Sequence, residues 1–303
     1  MLAKRVHSFF SWDFNMLKNN RHGFTLIEMA IVLTIISLVV SGIFIGQSLV
    51  RDSQLRAVAT ETARYIQAVS TFRDKELALP GDFSGATALW GSTDNVIPSD
   101  AGCISIAGQG SSTVTTATCD GNGDGRITTQ GAGTTTQYEQ FRAWQHLANT
   151  GLIDGKYSGV AGDGVMKAII GGPNGNVPAS QLIGAGYSLI SMLNSEIGAN
   201  TGTHYYIYYN NDGVTPINYL HMLQFGAACT AKSTLCPIIT PIEAQSIDAK
   251  LDDGYPSSGK IMGPIYGSVY SGGCTTNTVA PAIPSYDQTQ TGRKCSLLFL
   301  LGF

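Results

Sequence analysis

The sequence predicts an α+β protein in which one long N-terminal helix packs on a head built around an antiparallel β-sheet with loop-rich insertions. Three observations carry that expectation. From Met29 to Val50 there are 22 consecutive residues without a charge, enough for a helix to span a ~30 Å hydrocarbon core. From Arg51 onward, apolar residues recur at three- and four-residue steps, so the helix continues in amphipathic form. Beyond residue 80, short apolar runs alternate with Gly, Asn and Pro clusters, the pattern of strands and turns.

The helix comes first. Leu55, Val58, Ala59, Thr62, Tyr65, Ile66, Val69 and Phe72 form one stripe, with charged residues such as Arg56, Glu61 and Arg64 mostly between them. A helix over 24–76 is about 80 Å long at 1.5 Å per residue, with a transmembrane part at about 27–50. Leu79-Pro80-Gly81-Asp82 ends it, because proline and glycine break the hydrogen-bond ladder. The chain therefore divides into a basic segment at 1–23, the helix at 24–76 and a globular head at 77–303.

Charge sets the topology. Residues 1–23 hold Lys4, Arg5, Lys18 and Arg21 against Asp13, a net of +3, so the remainder carries −6 of the total −3. A basic flank before an apolar helix keeps the N-terminus cytoplasmic and sends the head across the membrane. The acidic, lysine-poor remainder argues against a nucleic-acid partner, since phosphate contacts need clustered cations.

In the head, Leu89 and Trp90 are expected to pack on the long helix. A second helix is expected over Gln137–Asn149, with Tyr138, Phe141, Trp144, Leu147 and Ala148 on one face. Strand-like runs follow at Val165–Ile170, Tyr187–Leu193, Tyr205–Tyr209 and Tyr219–Phe225, and Asn210-Asn211-Asp212-Gly213 reads as a hairpin turn. Thr240-Pro241-Ile242-Glu243 is a capping box with proline at the first helical position, opening a helix to about Leu251. Ser296–Leu301 closes the chain as a buried strand, too short to be a second span.

Six cysteines, Cys103, Cys119, Cys229, Cys236, Cys274 and Cys295, all follow the membrane segment. An even number in an exported head reads as disulfides. Sequence proximity favours Cys103–Cys119, Cys229–Cys236 and Cys274–Cys295, although six cysteines allow 15 connectivities.

Gly23-Phe24-Thr25-Leu26-Ile27-Glu28 resembles the N-terminal cleavage and methylation motif of type IV prepilins and type II secretion pseudopilins. The resemblance implies a prepilin peptidase that cuts after Gly23, on the cytoplasmic face, and methylates the new amine of Phe24. It implies storage in the bacterial inner membrane as a single-pass protein with a periplasmic head. Assembly would follow with other pilin or pseudopilin subunits, served by an inner-membrane platform protein, into a periplasmic pseudopilus or a surface pilus. Glu28 fits an assembly role physically: a carboxylate among apolar helices needs a cation, and another subunit's Phe24 ammonium is the one at hand. The leader of 23 residues is long for the family. Two further readings remain open at this stage. One is a minor or tip adhesive pilin, suggested by the large head; the other is a membrane-anchored calcium- or ligand-binding domain that does not polymerise.

Asp120-Gly-Asn122-Gly-Asp124-Gly125-Arg126-Ile127-Thr128 matches the first nine positions of an EF-hand-type calcium loop. Side-chain oxygens alternate at Asp120, Asn122 and Asp124, Arg126 offers its carbonyl, and Thr128 occupies the ninth position. Gly131 stands where the final bidentate glutamate belongs, and Glu139 on the following helix is the substitute ligand. The competing reading is a solvated Asp/Asn/Gly turn. No enzyme is expected. The five histidines, His7, His22, His146, His204 and His221, belong to no Gly-x-Ser-x-Gly elbow or His-Glu-x-x-His motif.

Overall fold

The computed structural model describes residues 23–92, 115–127, 139–160, 167–191, 221–229, 233–263, 272–276 and 284–303. The chain forms two compact units, Met1–Leu49 and Val50–Phe303. Helix α1 (Leu26–Glu76) is 51 residues long, ending where the proline and glycine of the following turn require.

In the first unit no described residue is buried within the protein. This part of α1 is long and apolar enough to cross a membrane. Its few hydroxyls are satisfied by the helix itself: Thr34 donates to the Ile31 carbonyl, Ser37 to Leu33, Ser41 to Ser37 and Ser48 to Ile45. That arrangement leaves no polar hydrogen of these side chains seeking a partner in lipid.

In the second unit α1 buries Val58, Thr62, Tyr65, Val69 and Phe72 of the expected stripe together with Ala68, while Leu55, Ala59 and Ile66 are half-buried. The ring of Tyr65 meets Trp144 edge-on at 5.1 Å and Tyr187 at 5.0 Å. Each such fully buried side chain contributes about 1.5–3 kcal/mol through removal from water. Trp144 lies on α3 (Glu139–Asn149), and Tyr187 on β1 (Ala185–Ser191). The sheet continues through β2 (His221–Ala227), β3 (Ile261–Met262) and β4 (Leu297–Leu300) in the order β1-β2-β4-β3. All neighbours are antiparallel, with Tyr187 opposite Phe225 and Leu223 opposite Phe299. The period of two sorts the faces. Tyr187, Leu189, Leu223, Phe225, Leu297 and Phe299 join the main core with α1, whereas Ile190, Met222, Leu298 and Met262 form a smaller core on the other face.

Two short helices complete the described head: α2 (Ala86–Trp90) and α4 (Pro241–Leu251). Thr240 caps α4, its Oγ1 accepting from the Glu243 N–H at 3.2 Å, while the Glu243 carboxylate accepts from the Thr240 N–H at 2.8 Å. Arg51 of α1 then docks on this cap, donating to both Glu243 oxygens at 2.7 and 2.9 Å and to the Ile238 carbonyl at 3.3 Å. Burial alone would raise the Glu243 pKa, but the Arg51 and Thr240 bonds hold it below the ordinary value.

Cys229 is bonded to Cys236 and Cys274 to Cys295. Cys119 is also disulfide-bonded; Cys103 lies outside the described residues. So do Tyr205–Tyr209 and its turn, and the first two residues of Val165–Ile170. The described end of that run makes isolated bridges, Lys167 with Ser233 and Ile170 with Val177, instead of a named strand. Trp90 packs against the core beside Phe83 at 6.1 Å, but Leu89 is exposed. On so short a helix the two adjacent residues cannot share one face.

Candidate functional site

The first candidate site is the start of α1. Gly23 and Phe24 are exposed, and a Cβ built on Gly23 would meet nothing within 4 Å. The fold itself therefore places no demand for glycine there. Thr25 precedes the helix, and its N–H and Oγ1–H donate to Glu28 Oε2 at 2.7 and 2.8 Å, while its Oγ1 accepts from the Glu28 N–H at 3.2 Å. This is a capping box, and it puts the acid on the positive end of the helix dipole.

The second site is the acidic loop. Its backbone crosses the turn after α1 at close range: Cβ atoms added to Gly121 would lie 2.2 Å from the Asp82 carbonyl carbon, so only glycine passes there. Gly81 has φ +90°, and a Cβ on it would meet the Glu139 carbonyl oxygen at 2.4 Å. These two glycines bring Asp82, the loop and the first turn of α3 together.

The carboxylate of Asp82 is the hub. Its Oδ1 accepts from the Asp124 N–H at 3.0 Å and its Oδ2 from the Gly125 N–H at 2.8 Å. Its own carbonyl accepts from the Gly123 N–H at 3.2 Å. The side-chain oxygen of Asn122 also accepts from the Asp124 N–H, at 2.9 Å, and the Asn122 N–H donates to Glu139 Oε1 at 3.0 Å. Asp82, Asp124 and Glu139 thereby bring one carboxylate oxygen each within 4.8 Å of one another. Asp82 and Glu139 are buried and Asp124 is exposed. Burial raises the Asp82 pKa, with the Asp124 charge adding to it and the loop N–H groups opposing.

The loop departs from the spacing expectation in one respect. Asp120 turns its carboxylate the other way, accepting from Thr87 N–H at 2.7 Å and Thr87 Oγ1 at 2.6 Å on α2. Asp82 joins Asp124 and Glu139 in its stead. Arg126 is exposed and its N–H bonds to Asp124 Oδ1 at 2.9 Å; Thr128 and Gly131 lie outside the described residues. Nothing in the sequence pointed to Asp82, which is separated from the loop by about forty residues and reads there as part of a helix stop. The set nonetheless suits a hard cation: carboxylate and amide oxygens on a short, turn-rich loop with a late acid from a helix.

The two histidines among the described residues, His146 and His221, sit in structural hydrogen bonds. His146 is fully buried, accepts from the Gly81 N–H at Nδ1 (3.0 Å) and lies 3.1 Å from Thr118 Oγ1 at Nε2. The tautomer is thus the one with Nε2 protonated, and the Thr118 hydroxyl donates a hydrogen bond to Gln145 Oε1 at 2.7 Å. Burial, then the charge of Arg142, lowers the His146 pKa to about 3. His221 lies 2.9 Å from Ser191 Oγ, but the two are cross-strand neighbours on β1 and β2, and that Oγ already accepts from the Ile127 N–H.

Residues 18–44 match the prokaryotic N-terminal methylation motif. The chain carries a prepilin-type N-terminus. The match includes Gly23, Phe24 and Glu28, and it agrees with the type IV prepilin and pseudopilin resemblance. A prepilin-type motif implies processing by a prepilin peptidase and assembly with other pilin-type subunits, and it belongs to a structural family that is generally not enzymatic. No curated protein and no solved structure matches the chain significantly.

Proposed function

We propose that the protein is a structural subunit cut after Gly23, methylated on Phe24, held in the bacterial inner membrane by α1 and then polymerised through that helix. Its N-terminus is cytoplasmic and its head periplasmic, and its filament is a type II secretion pseudopilus or a type IV pilus served by an inner-membrane platform protein. The observation that carries this reading is the methylation motif on an apolar helix whose first half has no buried residue. Such a surface is stable only in lipid or against like helices. The glycine at 23 answers a requirement from outside the fold, as a protease subsite imposes. Expression of Gly23→Leu with the cognate peptidase should accumulate full-length precursor on immunoblots; normal processing would sink the proposal.

The head holds a structural calcium ion in this reading. Asp82, Asn122, Asp124 and Glu139 supply the side-chain oxygens, and the ion offsets the repulsion among three carboxylates while fixing the loop on α3. The neighbouring Asp120 braces α2 through Thr87.

A further inference from the structure

The last turn of α4 holds a buried carboxylate, Asp248, which is 0% exposed. Its Oδ2 accepts from the Tyr286 hydroxyl at 2.7 Å and its Oδ1 from the Gly254 N–H at 3.1 Å. Asp252 and Asp253 follow, and each of the three acids brings an oxygen within 4.8 Å of the others. The C-terminal pole of α4 adds negative potential at the same place. No lysine or arginine among the described residues makes an ion pair with any of the three. Lys250 on α4 and Lys260 before β3 are exposed, and Asp287, beside Tyr286, turns its carboxylate to the Thr289 N–H.

A carboxylate so placed has to be neutralised, because burial and like charges both disfavour its ionised form. The hydrogen bonds favour a proton over a metal ion. Asp253 accepts from the Tyr255 N–H at 2.9 Å and from the Ser258 hydroxyl at 2.6 Å, and Asp252 Oδ2 accepts from the N–H groups of Lys260 and Ile261. Five of the six carboxylate oxygens are thus already taken by donors of the protein. A cation would share nearly every ligand with a hydrogen, whereas a proton needs one lone pair. Burial raises the Asp248 pKa to about 7, the Tyr286 and Gly254 bonds opposing and the charges of Asp253 and Asp252 adding.

These bonds join four pieces of the head at one corner: α4, residues 252–260, the start of β3 and the segment that carries Tyr286. Strand β3 is the end of the sheet and pairs with β4 through two residues only, Ile261 and Met262. We propose that this corner closes around a protonated Asp248 and acts as an acid-tightened latch on residues 252–260 and β3. When the corner opens, Asp248 reaches water and gives up its proton, so a fall in pH favours the closed form. The closed form keeps the proton up to about pH 7, the open form only below the ordinary 3.8. Opening therefore becomes about tenfold more frequent per pH unit between those limits, and it levels off above pH 7.

Hydrogen exchange read by mass spectrometry on the detergent-solubilised full chain, in EGTA and at about pH 5 to 8, tests the latch. After correction for chemical exchange rates, protection of residues 252–263 should fall about tenfold per pH unit up to pH 7 and then hold level. Asp248→Asn, neutral throughout, should show no such slope. Tyr286→Phe removes a bond to the ionised form and should move the levelling point to higher pH; Asp253→Asn removes a repelling charge and should move it lower. Equal slopes in the parent and in Asp248→Asn overturn the inference, as does a levelling point that neither of the other variants moves. Added calcium that raises protection of this segment in the parent, and not in Asp248→Asn, assigns the acids to a metal ion and likewise overturns it.

Discussion

Replacing Asp82 by asparagine separates an ion-binding loop from one held by hydrogen bonds alone. The side chain keeps its shape and loses its charge. Asp124 and Glu139 each hold an oxygen within 4.8 Å of the trio. At an effective dielectric near 20, two unit charges at that distance repel by about 3 kcal/mol, an upper value for the exposed Asp124. Against that relief, Asp82→Asn retains one acceptor for two N–H donors, Asp124 and Gly125, and an unpaired N–H costs about 1–3 kcal/mol. In chelator the variant should therefore match or exceed the parent by about 1–2 kcal/mol, a rise of a few degrees in Tm for a domain of this size. In calcium the order should reverse. The parent gains about 2.7 kcal/mol when the ion is a hundredfold above its Kd, while the variant, short of one ligand, gains little. Thermal unfolding of the detergent-solubilised full chain, followed by circular dichroism in EGTA and in millimolar calcium, reads both arms. A variant equally destabilised in both conditions, with no calcium shift in the parent, would refute the reasoning and make Asp82 a backbone acceptor only.

Three other outcomes are expected. Glu28→Gln keeps an acceptor for Thr25 but no charge, so it should be processed normally and fail in sheared-filament assays; wild-type filament yield would restrict Glu28 to capping. For His146, the folded pKa of about 3 lies below the unfolded value of 6.5, so the imidazole stays neutral in the fold and charges on unfolding. Its contribution is complete above pH 6.5 and lost as pH falls toward 3, by at most about 4–5 kcal/mol; His146→Gln should flatten that part of a pH–stability curve, and an unchanged slope would exclude it. Glu243→Ala removes half the α4 capping box and the Arg51 pair, whose side chains are 26% and 19% exposed, and should cost about 1–3 kcal/mol in urea unfolding. A double-mutant cycle with Arg51→Ala should give clear coupling, and additivity would show that the two sites act separately.

The elements readable in the sequence were those with a strong local signal. The stripe Val58 to Phe72 repeats over four turns, Thr240 to Glu243 carries cap chemistry, and the apolar runs of β2 and β4 stand between turn residues. The two-residue β3 has no such signal; β4 recruits it by pairing. Polar residues on α3 gave no local signal of burial. Gln145 and His146 lie outside the expected apolar face, and they are buried because the segment ending at Thr118 and Cys119 lies over them and takes their hydrogen bonds. The Asp82 carboxylate reaches the acidic loop only through a tertiary crossing that two glycines permit, and no spacing rule covers that. At Thr25 and Glu28 the capping signal was present in the letters, overshadowed by the processing motif that shares them.

That capping box bears on how a filament grows. On cleavage after Gly23, the new ammonium of Phe24 would join the positive pole of α1, and the acid that balances both is already bonded within the same helix. A subunit waiting in the membrane is therefore not an open circuit with an unanswered charge. On the proposed reading, adding it to a growing end would be an exchange, in which Glu28 gives up hydrogen bonds from its own Thr25 for a neighbour's amine. The net gain would then be the difference between the ion pair and the bonds surrendered, smaller than the pairing of a bare carboxylate.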